Sequence, residues 1–267
     1  MAPDTGVPRT SSGPSFLVRL HAHAQRATTV ADALLSVVFA PTCAACGMLL
    51  DRPTRSAVCN RCWASILPLT PPLCDVCGDP LPTWRTMGVV PVHCARCRRT
   101  RRQVDCARAI GAYEGALRAI VHALKYGGYR SLARQLAALM RDRAGDLLSG
   151  ADVAVAVPLH PSRRRQRGFN QAADLARNLG LPVLCPLRRV RATAVQAGLP
   201  ASRRHANVRG AFALTQASQT IRSATIVLVD DVTTTGATLE ACARALKEGG
   251  AREVRAVTAA RVVPPRR

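Results

Sequence analysis

Lysine is almost missing from this chain of 267 residues: of its 38 basic residues only Lys125 and Lys247 are lysine, and the rest are arginine. Acids are scarce as well, 16 in all, which leaves a formal charge of +22. A field of that sign draws phosphate-bearing partners, nucleic acids and anionic membrane surfaces among them. An arginine-rich, alanine-rich composition from a GC-rich coding sequence explains the same numbers with no partner at all, so charge alone does not choose. Aromatics are few, with two Trp, three Tyr and four Phe. Any binding of single strands would therefore be mainly electrostatic rather than built on base stacking. No long apolar run occurs either. The stretch "ADALLSVVFAPTC" is too short to span a bilayer and lies behind a polar leader, so it reads as a short amphipathic helix. A lipoprotein signal ending at Cys43 is the competing reading, but the flanking residues are poor for one. The expected location is the cytoplasm, with peripheral attachment to an anionic membrane as a variant.

What the chain does have is cysteine, 11 residues, of which eight form C-x-x-C pairs: Cys43/Cys46, Cys59/Cys62, Cys74/Cys77 and Cys94/Cys97. A tetrahedral zinc ion needs four soft ligands, and a two-residue gap lets both thiolates of a knuckle face one ion. Gly47 and Gly78 follow the first and third pairs, where a tight turn needs positive φ. This makes an internal repeat that starts at Cys43 and again at Cys74. It predicts two structural zinc sites, paired in sequence order, with a crossed pairing of first with third and second with fourth left open by spacing. Redox and disulfide readings are disfavoured, because no pair sits at a strand-to-helix junction and no signal peptide is evident. Cys106, Cys185 and Cys242 read as small core residues.

Composition divides the chain into a Ser, Pro, Thr and Gly-rich tail (1–28), a short helix with the cysteine-rich module (29–104), and a regular domain (105–267) beginning after an arginine cluster at Arg98, Arg99, Arg101 and Arg102. In "EGALRAIVHALKYGG" Leu117, Ile120, Val121 and Leu124 fall at helical spacing, and Gly127 and Gly128 end the helix. A second helix has Leu132, Leu136 and Leu139 on one face, with Ser131 as its cap. Beyond Gly150, "ADVAVAVPLH" and "TIVLVDDV" are apolar strands that alternate with the helical "NQAADLARNLG" and "ATLEACARALKEGG", and "EVRAVTAAR" is a further strand. Such alternation predicts an α/β fold with a parallel sheet covered on both faces.

Two of the scarce acids, Asp230 and Asp231, end the strand "IVLV", and "TTTGAT" follows before a helix. Backbone N–H groups and hydroxyls of Thr234, Thr235 and Thr238, with Gly236 allowing close approach, would cradle a phosphate at the positive end of that helix. Carboxylates in front of it would accept hydrogen bonds from vicinal hydroxyls. A sugar 5-phosphate fits both halves. A solvated strand end with a Ser/Thr-rich cap explains any one residue, but not the order of all of them.

"VLVDDVTTTGAT" resembles the phosphoribosyl pyrophosphate (PRPP) loop of type I phosphoribosyltransferases. That resemblance implies Asp230 and Asp231 as partners of the ribose hydroxyls and Thr234, Thr235, Gly236, Ala237 and Thr238 around the 5-phosphate, with Mg²⁺ bound alongside PRPP. Thr233 stands where the family usually has an apolar residue. Thr234 stands where enzymes acting on 6-oxopurines carry an aspartate, which argues against hypoxanthine or guanine as acceptor. "VAVPLHPSRRRQRGFNQAADLA", "LKYGG" and "RATAVQAGLPASRRHANVRGAF" together resemble the ComF family, across roughly residues 33 to 262. The family joins a zinc-ribbon module to a phosphoribosyltransferase domain. By this resemblance Leu159, His160, Arg163, Arg165 and Arg167 belong to the pyrophosphate loop, and Arg191, Gln196, Arg203 and Asn207 to a flap that closes over PRPP. It further implies a role in DNA uptake, with single-stranded DNA and competence proteins such as a DNA-uptake helicase as partners. A metabolic phosphoribosyltransferase and a non-catalytic PRPP sensor are the alternatives. No residue is singled out as catalytic, and the acceptor is unspecified.

Overall fold

The computed structural model describes residues 32, 39–82, 92–192 and 208–263; the tail, 1–28, lies outside them. Asp32 and Phe39, the described residues of the expected N-terminal helix, are helical. Along the chain come α1 (Asn60–Ala64), α2 (Ala95–Arg99), β1 (Cys106–Ala109), α3 (Gly115–Tyr126), α4 (Leu132–Arg143), α5 (Gly145–Leu148), β2 (Val153–Ala156), α6 (Pro161–Arg167), α7 (Gln171–Arg177), β3 (Val183–Leu184), β4 (Leu187–Arg189), β5 (Phe212–Leu214), a 3₁₀ turn (Gln216–Ile221), β6 (Thr225–Thr233), α8 (Ala237–Glu248) and β7 (Glu253–Arg261).

Five strands form one sheet in the order β1-β7-β6-β2-β3, with every pairing parallel. Parallel neighbours cannot be joined by a tight turn, so helices carry the chain back over the sheet. Side chains of β6 alternate as a strand requires. Val227 and Val229 enter the layer shared with Leu117, Ile120 and Leu124 of α3 and Leu132 and Leu136 of α4. Ile226 and Leu228 face Leu239, Cys242 and Leu246 of α8. With each such aliphatic side chain contributing about 1.5–3 kcal/mol on burial, these two layers fix the register that brings the end of β6 to the start of α8. β4 and β5 stand apart as an antiparallel pair flanking the expected flap.

The two cysteine modules dock differently. The first contributes Cys43, Leu50, Val58, Cys62 and Ile66 to the α3 layer. It is tied there by Arg143, which donates to the Ile66 carbonyl at 2.7 Å and to the Ile110 carbonyl at 2.8 Å. The second has its own small core of Cys74, Leu81 and Cys94, and it lies along the free edge of β1. There the Ala107 N–H donates to the Val76 carbonyl at 2.8 Å, and Arg108 donates to the Asp75 carbonyl at 3.1 Å.

Some expectations change. Ser131 precedes α4, but its side chain makes no capping hydrogen bond and its backbone is already helical (φ −57°, ψ −26°). Leu139 is only half-buried; Ala133, Ala137 and Met140 complete the inner face of α4. Of the isolated cysteines Cys242 is buried as expected, Cys106 is half-buried and Cys185 is exposed. Cys185 follows the two-residue strand β3, too short to carry it into either layer.

Candidate functional site

β6 carries both acids before it ends, and adjacent residues on a strand face opposite sides of the sheet. Asp231, 4% exposed, turns toward α3 and forms an ion pair with Lys125 Nζ at 2.9 Å. Burial works against the Lys125 ammonium, but the Asp231 carboxylate outweighs it and holds the lysine above its ordinary pKa. The second oxygen, Asp231 Oδ2, is buried without a hydrogen-bond partner. Asp230 turns toward the α8 side, where burial and then the Asp230 charge raise the Cys242 thiol. Its Oδ1 accepts the Asp231 N–H at 2.9 Å. Some of the residue's surface is open, yet the carboxyl is recessed. Desolvation and the neighbouring Asp231 charge push its pKa up to about 7, against the pull of the Asp231 N–H, Lys125 and Arg189.

The chain then turns sharply. Gly236 precedes α8 with φ +77° and ψ 5°, a left-handed conformation that an L side chain adopts only with strain. Thr235 Oγ1 accepts the Ala237 N–H at 3.4 Å, and Ala237 itself packs inward against the α8 core. The Thr235 carbonyl accepts a hydrogen bond from Arg96 Nη1 at 3.0 Å, a contact from the second cysteine module. Thr234, Thr235, Gly236 and Thr238 are all half-buried, at the positive end of a 12-residue helix.

Beside β6, the loop after β2 is pinned by Val157 N–H to the Val229 carbonyl (2.9 Å) and by Asn170 Nδ2 to the Val157 carbonyl (3.0 Å). Leu159 and His160 are half-buried there, and His160 Nδ1 caps α6 by accepting the Ser162 N–H at 3.4 Å. α6 sorts its arginines. Arg164 and Arg165 are exposed, whereas Arg163 and Arg167 are half-buried. Arg167 donates to the Tyr126 hydroxyl at 2.9 Å and lies 4.8 Å from that ring's centroid. Arg189 of β4 is buried over the Phe212 ring at 5.3 Å. Desolvation, followed by the like charge of Arg163, lowers its pKa, and Asp230 acts in the opposite sense. Arg163 is thus the α6 residue whose charge reaches the Asp230 neighbourhood. Arg191 is exposed and donates to the Arg209 carbonyl at 2.9 Å; Gln196, Arg203 and Asn207 lie outside the described residues.

The cysteines assemble as Cys43, Cys46, Cys59 and Cys62, and as Cys74, Cys77, Cys94 and Cys97, with the sulfurs of each group within 4.8 Å of one another. The pairing is therefore sequential. Observed Sγ separations of 3.9 Å (Cys43–Cys62), 3.8 Å (Cys46–Cys59) and 3.6 Å (Cys77–Cys94) suit the edge of about 3.8 Å that a zinc–thiolate tetrahedron with bonds of about 2.3 Å requires. Backbone N–H groups of Cys59 and Cys94 point at the Cys43 and Cys74 sulfurs, each at 3.3 Å, which supports thiolates. The donor sets fit two closed, structural zinc sites.

Residues 34–98 match the double zinc ribbon domain and residues 165–263 the phosphoribosyl transferase domain. Competence protein F of Haemophilus influenzae is 30% identical over 210 residues, covering 75% of this chain and 88% of that protein. The chain belongs to the ComF family. DNA utilization protein YhgH of Escherichia coli K12 is 30% identical over 214 residues, covering 72% of the ComF chain and 93% of its own length. Competence protein ComFC of Bacillus subtilis is 25% identical over 200 residues, with coverages of 72% and 79%. The ComF chain has a phosphoribosyltransferase fold, a parallel sheet flanked by helices, preceded by a double zinc ribbon. Among its described residues no helix is long and apolar enough to cross a membrane.

Two site features of this ComF chain escape a sequence reading. Lys125 carried a signal, because it is one of two lysines in an arginine-biased chain and lies within "LKYGG". Arg96 carried none: it meets a carbonyl 139 residues away. The arginine clusters also need revision as surfaces. Arg102, with 8% of its side chain exposed, pairs with Glu240 at 3.6 Å, and Arg189 is buried. Arg98, Arg99, Arg101, Arg164, Arg165, Arg188 and Arg191 remain exposed.

Proposed function

We propose that this ComF protein binds PRPP with Mg²⁺ where β6 runs into α8, and uses that site in handling single-stranded DNA during uptake. The observation that carries the reading is the short run from Asp230 and Asp231, past Val232, into a threonine turn closed by left-handed Gly236 at a helix N-terminus. In it Asp230 and the unpartnered Asp231 Oδ2 are the acceptors for ribose hydroxyls, and Lys125 is paired with the other Asp231 oxygen. Thr234 to Thr238 take the 5-phosphate through N–H groups and hydroxyls. Leu159, His160 and Arg163 take the pyrophosphate, with Arg165 and Arg167 at its margin. The two carboxylates are the hard oxygen donors at this edge that a Mg²⁺ ion accompanying the pyrophosphate could use. The flap, Arg191 to Asn207, would close over the site and exclude water.

The DNA half of the reading rests on the exposed arginines, on the residues Tyr126 and Tyr129, 62% and 43% exposed, and on the names of the relatives. Location in the cytoplasm, peripheral contact with an anionic membrane and a helicase partner follow from the same reading, as does a domain boundary near residue 105. A PRPP sensor without turnover is favoured over a purine-salvage enzyme by one residue, Thr234, which supplies no carboxylate to move a proton on a 6-oxopurine.

Titration calorimetry with Mg-PRPP, alongside fluorescence binding of a labelled oligonucleotide, tests the site. Asp230→Asn/Asp231→Asn should lose PRPP binding while both zinc sites and most DNA affinity persist. Undiminished PRPP affinity in that double variant would sink the assignment, and pyrophosphate release with any of a panel of bases would favour a metabolic transferase.

A further inference from the structure

We infer that Arg96 of the second zinc ribbon is a positioning residue for the phosphate loop, so that ligand binding depends on a brace supplied by the ribbon. The inference rests on the PRPP reading for its ligand, but its geometry stands by itself. Arg96 lies between the metal-site residues Cys94 and Cys97 on α2. Its guanidinium donates through Nη1 to the Thr235 carbonyl at 3.0 Å and through Nη2 to Asp79 Oδ2 at 2.9 Å. Asp79 is held in turn at its other oxygen by Arg261 Nε at 2.6 Å, and Arg261 Nη1 donates to the Cys77 carbonyl at 2.8 Å. Arg261 is 3% exposed and ends β7, the strand beside β6. The chain of contacts therefore starts on rigid sheet, passes through the ribbon and ends on one carbonyl of the phosphate loop.

That carbonyl matters because a peptide unit is planar and trans, so its C=O and N–H point to opposite sides. Fixing the Thr235 carbonyl toward the ribbon fixes the Gly236 N–H away from it. Glycine does not make this choice unaided, since positive and negative φ are nearly equally open to it. Rotation of the Thr235–Gly236 unit would replace an N–H by a carbonyl oxygen on the side where an anion has to sit, and carbonyl oxygens repel phosphate. A charge-assisted hydrogen bond from a half-buried guanidinium is strong enough to hold one orientation. A second tie keeps the next turn in place: Glu240, in the first turn of α8, accepts the Gln103 N–H at 2.7 Å, just beyond the ribbon.

The test uses the full chain, with zinc content measured for each variant. Arg96→Ala should bind Mg-PRPP and ribose 5-phosphate roughly ten- to hundredfold more weakly, the range expected for losing one charge-assisted hydrogen bond. Arg96→Lys, which keeps a donor and a charge, should recover part of the loss. Arg98→Ala removes an equal charge from an exposed neighbour and should leave the affinity for Mg-PRPP and ribose 5-phosphate unchanged, whatever it does to oligonucleotide binding. In the ligand-free protein, amide hydrogen exchange at Gly236 and Ala237 should accelerate in Arg96→Ala with both zinc sites filled. Wild-type affinity in Arg96→Ala, or an equal loss in Arg98→Ala, overturns the brace, as does unchanged exchange in the loop. If instead Asp230→Asn/Asp231→Asn binds normally while Arg96→Ala does not, the brace stands and the acid-pair reading falls.

Discussion

Asp230 gives up its proton only near pH 7, because burial and the Asp231 charge both penalise its ionised form. Its pKa, about 7 in the fold, lies above the ordinary carboxylate value of 3.8, so the folded state binds the proton more tightly than the unfolded chain does. The stability linked to that proton is complete at acidic pH below the unfolded value and is lost as pH rises through about 7. Asp230→Asn keeps the shape and removes the charge. It is expected to be about 4 kcal/mol more stable than wild type near pH 8 and nearly to match it near pH 4, measured by urea unfolding at the two pH values. Equal stability at both would show that the carboxylate is not strained. Much of this residue-level picture was legible: the acid pair, the threonines and Gly236 occupy contiguous positions, and contiguity is what a sequence displays. The division of labour between the acids was not. It depends on which face of β6 meets Lys125 and which meets Arg189, and those partners come from α3 and β4, remote in the chain.

The internal repeat supplies a controlled comparison at the level of elements. Gly47 and Gly78 hold the same place in their knuckles and have similar φ, +74° and +68°, so local strain alone makes alanine equally costly at either, about 1–2 kcal/mol. Their surroundings differ. A Cβ at Gly47 would meet nothing within 4 Å, whereas at Gly78 it would lie 2.5 Å from the Ala107 carbonyl oxygen of β1. Gly47→Ala should therefore cost only the local strain, while Gly78→Ala should in addition push the second ribbon off the sheet edge. Thermal unfolding and amide exchange across 76–79 and 106–109 would separate the two, and identical effects would argue against a tight ribbon–sheet contact. The repeat, the helices with their glycine ends, and β7 were readable because period and spacing are local properties. How each ribbon docks was not, since near-identical knuckles reach different surfaces through residues that the C-x-x-C pattern does not include.

For the whole molecule, the net charge of +22 and exposed arginines on several elements predict oligonucleotide binding that weakens steeply with salt. Log affinity should fall linearly with log salt, with a slope near −0.7 per phosphate neutralised on a single strand. A flat dependence across roughly 50 to 200 mM salt would exclude an electrostatic surface and leave the arginine count to coding bias. The sheet order has a different consequence, one of timing. In the sheet β1 pairs with β7 alone, matching Cys106 with Arg255, so a ribosome working at about 5–20 residues per second delivers the partner roughly ten to thirty seconds after the strand that waits for it. The opposite flank of β1 meets the second ribbon, through Ala107 and Val76, and both of those residues have already been synthesised by then. Among the described residues the ribbon is thus the one backbone partner β1 can have while the nascent chain is still growing, shielding an edge that is otherwise open to the wrong strand.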